Sequence, residues 1–405
     1  MLTVRYPEVI HELKDFHAGL WPCNFSDGSM ALIIKYTKEA ILAAKMTGNI
    51  RLYVVPAPVD TYRFAGVITG FFDDSDEPLI LTSPLFEGDS FTRELFALLS
   101  SRSFDVHLFD ENNHELLGYR ARNPACERFR ALAEQSSFAR FSDENITALL
   151  SHMAEWFALR TRADDVEAFP IEFVEPLFPD DIVLLDLTET LKTIHGHNGL
   201  VVKTLERQHA GPMQEMDIFA LLRRVFPRER IYLNPMRTDY PHLEFADVVV
   251  ATENYLYIIQ AKDSPNTEAM LRRTMERKRS VAIAHLKKAV SQLGGAIKYT
   301  RSKEPFTITT GGVTHTIDLQ SRIIIGLIVL KEMFDADAAA YARPTLQLGD
   351  DTGVRCLVMD YTQLHIWTLK LPEEAAFLNG LQMLLNAALE NGVFPRVRFR
   401  LIEKT

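Results

Sequence analysis

Phe245 to Lys262 read FADVVVATENYLYIIQAK. Two apolar runs, Phe245 to Ala251 and Tyr255 to Lys262, flank the polar Thr252-Glu253-Asn254. Aliphatic β-branched and aromatic residues fill both, so each predicts a buried strand. The short turn makes the strands antiparallel neighbours. Asp247 lies near the start of the first strand, and Gln260 and Lys262 lie at the end of the second. Antiparallel pairing brings these polar ends to one edge of the sheet. Gln260 and Lys262 are two residues apart and share a face. Polar residues that end two apolar strands conflict with the local pattern, and such conflicts mark function.

Working outward, Met213 to Phe226 is apolar at helical spacing and carries Glu215, which reaches across as a further acid. Ile231 to Leu233 predicts a short strand. Thr267 to Thr300 predicts a long basic helical region, broken or ended near Gly294-Gly295. Arg322 to Leu330 predicts a fully apolar strand, Val354 to Met359 and Leu364 to Leu369 two more, and Pro372 to Glu390 a helix. Val393 to Leu401 is expected to close the sheet. The order helix, three strands, helix, strand predicts a mixed α/β sheet flanked by helices.

The preceding half reads as a separate N-terminal α+β domain. Helices are expected over Thr37 to Lys45, Thr92 to Ser100, Pro124 to Gln135 and Asp143 to Arg160, and strands over Ile50 to Pro56 and Phe104 to Phe109. Tyr62 to Phe72 pairs with Leu79 to Thr82 across the acidic turn Asp73-Asp74-Ser75-Asp76. Prolines 170, 176 and 179 break any helix before Ile182 to Leu187, a further strand. The glycine-containing His195-Gly196-His197-Asn198-Gly199 places the border near residue 195, giving domains 1–195 and 196–405.

The chain has 405 residues, 47% of them hydrophobic and 24% charged, as expected of a globular chain with more than one core. Its three cysteines form no C-x-x-C pair, which argues against a structural zinc site or disulfide framework and for a cytoplasmic setting. No apolar run reaches membrane-span length, so no membrane association is expected. The net charge of -10 argues against a protein that coats nucleic acid nonspecifically. Yet Asp263 to Lys303 holds ten Lys or Arg against three Asp or Glu. Arg272, Arg273, Arg277, Lys278, Arg279, Lys287 and Lys288 read either as a phosphate-contacting face or as a solvated helix surface.

Helix-Glu, strand-Asp and an apolar strand ending in Gln-x-Lys resemble the PD-(D/E)XK nuclease superfamily. The Gln-x-Lys form is similar to Mrr-like restriction endonucleases, nuclease-related domains and Shedu-like defence nucleases. The resemblance covers roughly residues 205 to 330. It implies a C-terminal restriction-endonuclease-like αβββαβ core that cuts DNA with Mg²⁺ or Mn²⁺, in prokaryotic defence. Asp247 would be the central metal ligand, Gln260 a ligand in place of Glu, and the Ala261 carbonyl a further one. Glu215 would be a direct or outer ligand and Lys262 the catalytic lysine. Phosphodiester hydrolysis needs a hard cation on the phosphate, an activated water and stabilised developing charge, and oxygen ligands suit such a cation. The superfamily also places a Gln or Tyr on the next helix, where Gln292 and Tyr299 are the candidates. A homo-oligomer, able to cut both strands, and partner proteins of a defence system would follow. Two departures stand out: Asp247 follows Phe245-Ala246 instead of Pro, and Gln260 removes one negative charge. The second leaves open a decayed nuclease fold used for binding or scaffolding.

Glu244 rivals Glu215 for the second acid, and Asp239 is a weaker rival. His195 and His197 read as linker residues, and His285 as a surface residue of the basic helix. Ser83, Ser90 and Ser142 lack a Gly-x-Ser-x-Gly setting, and no P-loop occurs.

Overall fold

The computed structural model describes residues 1–25, 28–59, 61–73, 77–186, 201–208, 210–303 and 305–397. Residues 195 and 197 and most of the expected acidic turn lie outside this set. The chain forms two compact units. One comprises Met1–Leu184, Thr204–Glu206 and Asn266–Arg272; the other comprises Leu185–Lys203, Arg207–Pro265 and Arg273–Thr405.

The first unit is built on an eight-stranded sheet. Its strands are β1 (Gly19–Asn24), β2 (Met30–Lys35), β3 (Asn49–Pro56), β4 (Phe64–Phe71), β5 (Leu79–Pro84), β6 (Ser103–Phe109), β7 (Glu115–Arg122) and β8 (Phe169–Pro176), in the order β1-β2-β6-β7-β8-β3-β4-β5. β2 and β6 are parallel and the other neighbours antiparallel. Its longer helices start at side-chain caps. Thr37 caps Lys38–Thr47, Asp89 caps Ser90–Leu99 and Ser142 caps Asp143–Ala158, each accepting an otherwise orphaned backbone N–H. Leu205 and Leu271, from the two later segments, are buried in the core of this unit. β9 (Leu184–Asp186) and β10 (Val201–Lys203) form a separate two-stranded pair.

The second unit is mixed α/β. Its main sheet runs β11 (Ile231–Leu233), β13 (Val248–Ala251), β14 (Tyr255–Lys262), β17 (Ile323–Leu330), β18 (Arg355–Asp360). β11, β13 and β14 are antiparallel; β17 and β18 run parallel to β14. β12 (Met236–Arg237), β15 (Phe306–Thr310) and β16 (Val313–Ile317) form a small second sheet. A parallel step needs a crossover of a dozen or more residues, and the helix Met275–Arg301 supplies the one between β14 and β17. It packs on both strands, and the helix Ala210–Leu222 also packs on β14. β14 is therefore central and covered, which is why its sequence shows no polar alternation.

Several expectations are corrected. The basic region holds two helices, Glu268–Leu271 and Met275–Arg301, the second started by Thr274, whose hydroxyl accepts from the Arg277 N–H at 3.3 Å. The second helix passes unbroken through Gly294-Gly295. A Cβ on Gly294 would lie 3.1 Å from Leu348 Cδ1, so this glycine permits close approach to the helix Ala338–Thr352. That packing offsets the roughly 1 kcal/mol that glycine costs a helix. Leu364 to Leu369 is helical, within Tyr361–Lys370. The Asp360 carboxylate accepts from the Gln363 N–H at 2.8 Å and starts the helix, which buries Leu364, Trp367 and Thr368 at helical spacing. Residues 393–397 form no strand, and the rest of that expected strand lies outside the described residues.

Candidate functional site

Register brings the polar residues together. Val248 pairs with Ile259, so one step further sets Asp247 opposite Gln260. Asp247 is 6% and Gln260 2% exposed. Asp247 Oδ2 accepts from the backbone N–H of Ala261 and, at 3.3 Å, from Lys262 Nζ. The same ammonium donates to the Ala261 carbonyl at 2.5 Å. Gln260 Oε1 is buried without a hydrogen-bond partner among the described residues. Such an orphaned acceptor carries its full desolvation cost, about 1–3 kcal/mol, unless something binds it.

The second acid is present twice. Glu215, on the helix Ala210–Leu222, accepts from Asn234 Nδ2 at 2.8 Å. Burial pushes its carboxyl up to about 7; the negative charges of Asp247 and Glu244 add to the rise, against the Asn234 hydrogen bond and Lys262. Glu244 is likewise pushed up to about 7, first by burial and then by Asp247, with Lys262 opposing. The rivals of the sequence reading thus occupy one electrostatic cluster around Asp247. Asp239 is held elsewhere, by Arg237 and Lys303 at 3.1 Å each.

Asn234 escaped the sequence reading. Its backbone lies in the left-handed region at φ 46°, its N–H donates to the Asp247 carbonyl at 2.9 Å, and its side chain fixes Glu215. Asparagine tolerates that conformation, and an Asn-Pro pair directly after a short strand was the available signal. A buried ion network was also missed. Asp217 pairs with Lys203 and, at 3.3 Å, with Arg207, which lies 3.8 Å from Asp263. Asp263 directly follows Lys262, so the network anchors the chain as it leaves the site.

The donor set suits a hard cation. Lys262 shows that Asp247 Oδ2 and the Ala261 carbonyl can be bridged by one positive charge, and Gln260 supplies an unsatisfied oxygen on the same strand end. Among the described residues, no three His, Cys, Asp or Glu side chains form a ready metal cluster. The set available here draws on one carboxylate, one amide and one main-chain carbonyl.

The expected nucleic-acid residues are spread out. Arg272 is exposed, pairs with Glu268 at 3.5 Å and belongs to the first unit. Arg273, Arg277, Lys278, Arg279, Lys287 and Gln292 belong to the second. Arg279 Nε and Nη2 each donate to an Asp337 carboxylate oxygen at 2.7 Å. With Glu276, Ile283 and Lys287 this pair lines an open cleft of about 520 Å³. Arg277, Lys287 and Gln292 are exposed. The Tyr299 hydroxyl is engaged by Thr238 at 3.3 Å and the ring packs on Phe245 and Phe306, so this residue serves the small sheet. No helix among the described residues is long and apolar enough to cross a membrane. The chain matches no protein-family model, no curated protein and no solved structure.

Proposed function

We propose that the second unit hydrolyses phosphodiester bonds of DNA with Mg²⁺ or Mn²⁺, as a PD-(D/E)XK nuclease of the Gln-x-Lys form acting in prokaryotic defence. The observation that carries this reading is Lys262 held between Asp247 Oδ2 and the Ala261 carbonyl, on the strand end that buries the unsatisfied Gln260. The order helix, three antiparallel strands, helix, parallel strand supports the αβββαβ core that the resemblance implies.

Asp247, Gln260 Oε1 and the Ala261 carbonyl would hold the cation, with Glu215 beside them. A bound divalent ion supplies charge on the phosphate and a more acidic water. With a cation held there, Lys262 would exchange its contact with Asp247 for one with the scissile phosphate, whose charge it would offset. Glu215 and Glu244, each pushed up to about 7, lie near neutral pH beside Asp247, which suits either to take and return a proton. The basic helix offers backbone contacts, the first unit senses or recruits, and a homo-oligomer with defence partners in the cytoplasm cuts both strands.

Plasmid and linear DNA incubated with the full chain and Mg²⁺ or Mn²⁺ test the reading. Wild type cuts, and Asp247→Ala and Lys262→Ala each lower the rate by about 100-fold or more. Cutting that neither change alters removes the site assignment.

A second reading is favoured by Gln260 itself, which leaves the donor set one charge short. In it the fold binds nucleic acid or scaffolds a partner without cutting. Gln260→Glu separates the two: a gain from near zero supports the second reading, and a wild type already active supports the first.

A further inference from the structure

The crossover helix Met275–Arg301 turns one face of distinct composition to solvent. At about 100° per residue, Arg277, Lys287, Lys288 and Lys298 fall on a single strip, and all four are exposed. Ser280, Ala284, Ser291 and Gly295 fill the positions between them and are exposed too. No acid occurs from Arg277 to Arg301, although Asp and Glu outnumber Lys and Arg by 54 to 44 in the whole chain. None of the four cations pairs with an acid among the described residues. A solvated helix face ordinarily alternates the two signs, because opposite charges at i and i+4 stabilise it. The other basic groups of the helix are placed differently: Arg279 is held by Asp337, and Lys278 and His285 are partly buried beside the strip.

Packing on the sheet fixes where the strip runs. A Cβ on Gly326 would come within 2.9 Å of Leu293 Cδ2, so Leu293 sits over the middle of β17. Gly326 is opposite Ile258, four residues before Lys262. Those four strand residues span about 13 Å, which about nine helical residues cover. The helix runs against the strands, as a crossover between parallel neighbours must. Ala284 is therefore level with Lys262, Arg277 lies beyond that end of the sheet, and Lys298 lies about 30 Å behind Arg277.

We infer that this strip anchors the sugar-phosphate backbone of duplex DNA flanking the bond that is cut, an assignment that rests on the nuclease reading for its choice of ligand. A polyanion calls for positive charge fixed along a line, and the strip sets it at both ends and in the middle, about 15 Å apart. The small residues between let a backbone come close along the whole length. The strip exposes no large apolar side chain, so it offers nothing to bury against a folded protein or to insert into a lipid surface. Its length of about 30 Å matches roughly nine base pairs at 3.4 Å each. It begins past the sheet end that carries Asp247 and Lys262, so a duplex lying along it reaches the candidate site at one end. Neither of those residues belongs to it, so anchoring needs no divalent cation. An acidic protein thereby holds DNA through one segregated face.

The test is binding of a labelled DNA duplex to the full chain in EDTA, read by fluorescence anisotropy over a range of salt. Each phosphate contact made by a cation contributes about 0.9 to the slope of log affinity against log salt, so wild type shows a slope of about 3 to 4. Lys287→Gln and Lys298→Gln each lower the slope by about one, and Lys287→Arg and Lys298→Arg keep it. Glutamine suits a helix as well as lysine does, and both positions are exposed, so these variants fold. Lys14→Gln, at an exposed lysine of the first unit, leaves the slope unchanged. Slopes unaltered at 287 and 298, an equal loss in Lys14→Gln, or a wild type that binds phosphatidylserine vesicles and no duplex each overturn the inference. Binding is read without cutting, so the outcomes separate. Slope losses with no cleavage in Mg²⁺ or Mn²⁺ remove only the nuclease reading, whereas cleavage with unchanged slopes removes only the anchoring strip. Where both hold, the double variant Lys287→Gln/Lys298→Gln raises KM and leaves kcat unchanged, because the anchor binds ground state and transition state alike.

Discussion

Glu215 and Glu244 sit where negative charge is expensive. Both carboxyls are pushed up to about 7, first by burial and then by neighbouring acids. The sign of the stability effect follows directly. An unfolded glutamate ionises near 4.5, so between that pH and about 7 the unfolded chain sheds protons that the folded chain retains. These groups therefore destabilise the fold progressively as pH rises from about 4.5 to 7, and the full penalty persists above 7. Glu215→Gln removes one of the two penalties. It is expected to raise the melting temperature at pH 8 and leave it unchanged at pH 4.5, as read by circular dichroism. Added Mg²⁺ or Mn²⁺ should raise the pH 8 midpoint of wild type more than that of Glu215→Gln, because a cation relieves the same repulsion. Equal shifts in both proteins would place the cation away from Glu215.

At the scale of elements, two devices hold the strand end in place, and each can be tested. Gly326 lies in the middle of β17, where a Cβ would come within 2.9 Å of Leu293 Cδ2 and 3.2 Å of Cys356 Sγ. Gly326→Val forces the crossover helix away from the sheet and should cost about 1–3 kcal/mol by urea denaturation. Asp217 is buried between Lys203 and Arg207. Asp217→Asn takes the counter-charge from buried Lys203 and leaves Arg207 the more distant Asp263 at 3.8 Å, and about 3–5 kcal/mol should be lost. A loss under 1 kcal/mol would mean that water already reaches this network. These two devices also show where the sequence could be read. β14 was legible because a central strand covered on both faces must be continuously apolar, and the polar Gln260 and Lys262 then stood out. The helix Ala338–Thr352 was hidden by Pro344 in its interior, a residue that normally ends a helix. The helix over residues 361–370 was read as strand from its apolar content, although Asp360 three residues before Gln363 was a capping signal. The ion network was illegible, since Lys203, Asp217 and Asp263 are distant in sequence and only folding pairs them.

Across the whole molecule, the division into units does not follow a single cut. Asn266–Arg272 belongs to the first unit, although it begins four residues after Lys262. Leu271, 5% exposed, and Leu205, 6% exposed, complete the first unit's core, and Asn266 Nδ2 donates to the Leu205 carbonyl at 2.9 Å. A fragment ending at residue 195 lacks both leucines, so a cut at the border suggested by the histidine-glycine loop exposes the core it was meant to isolate. The consequence can be measured in the full chain with one substitution. Leu271→Ala deletes a buried side chain and should destabilise the first unit by about 2–5 kcal/mol. Hydrogen exchange read by mass spectrometry localises the effect. Peptides covering β6 and β7, more than a hundred residues earlier in the chain, should exchange faster by a factor of ten for each 1.4 kcal/mol lost, if they open with the unit as a whole. Peptides from β17 and β18 should keep their wild-type rates. Unchanged exchange in β6 and β7 would show that Leu271 adds nothing to that core. Faster exchange in all four strands would show that the two units unfold as one.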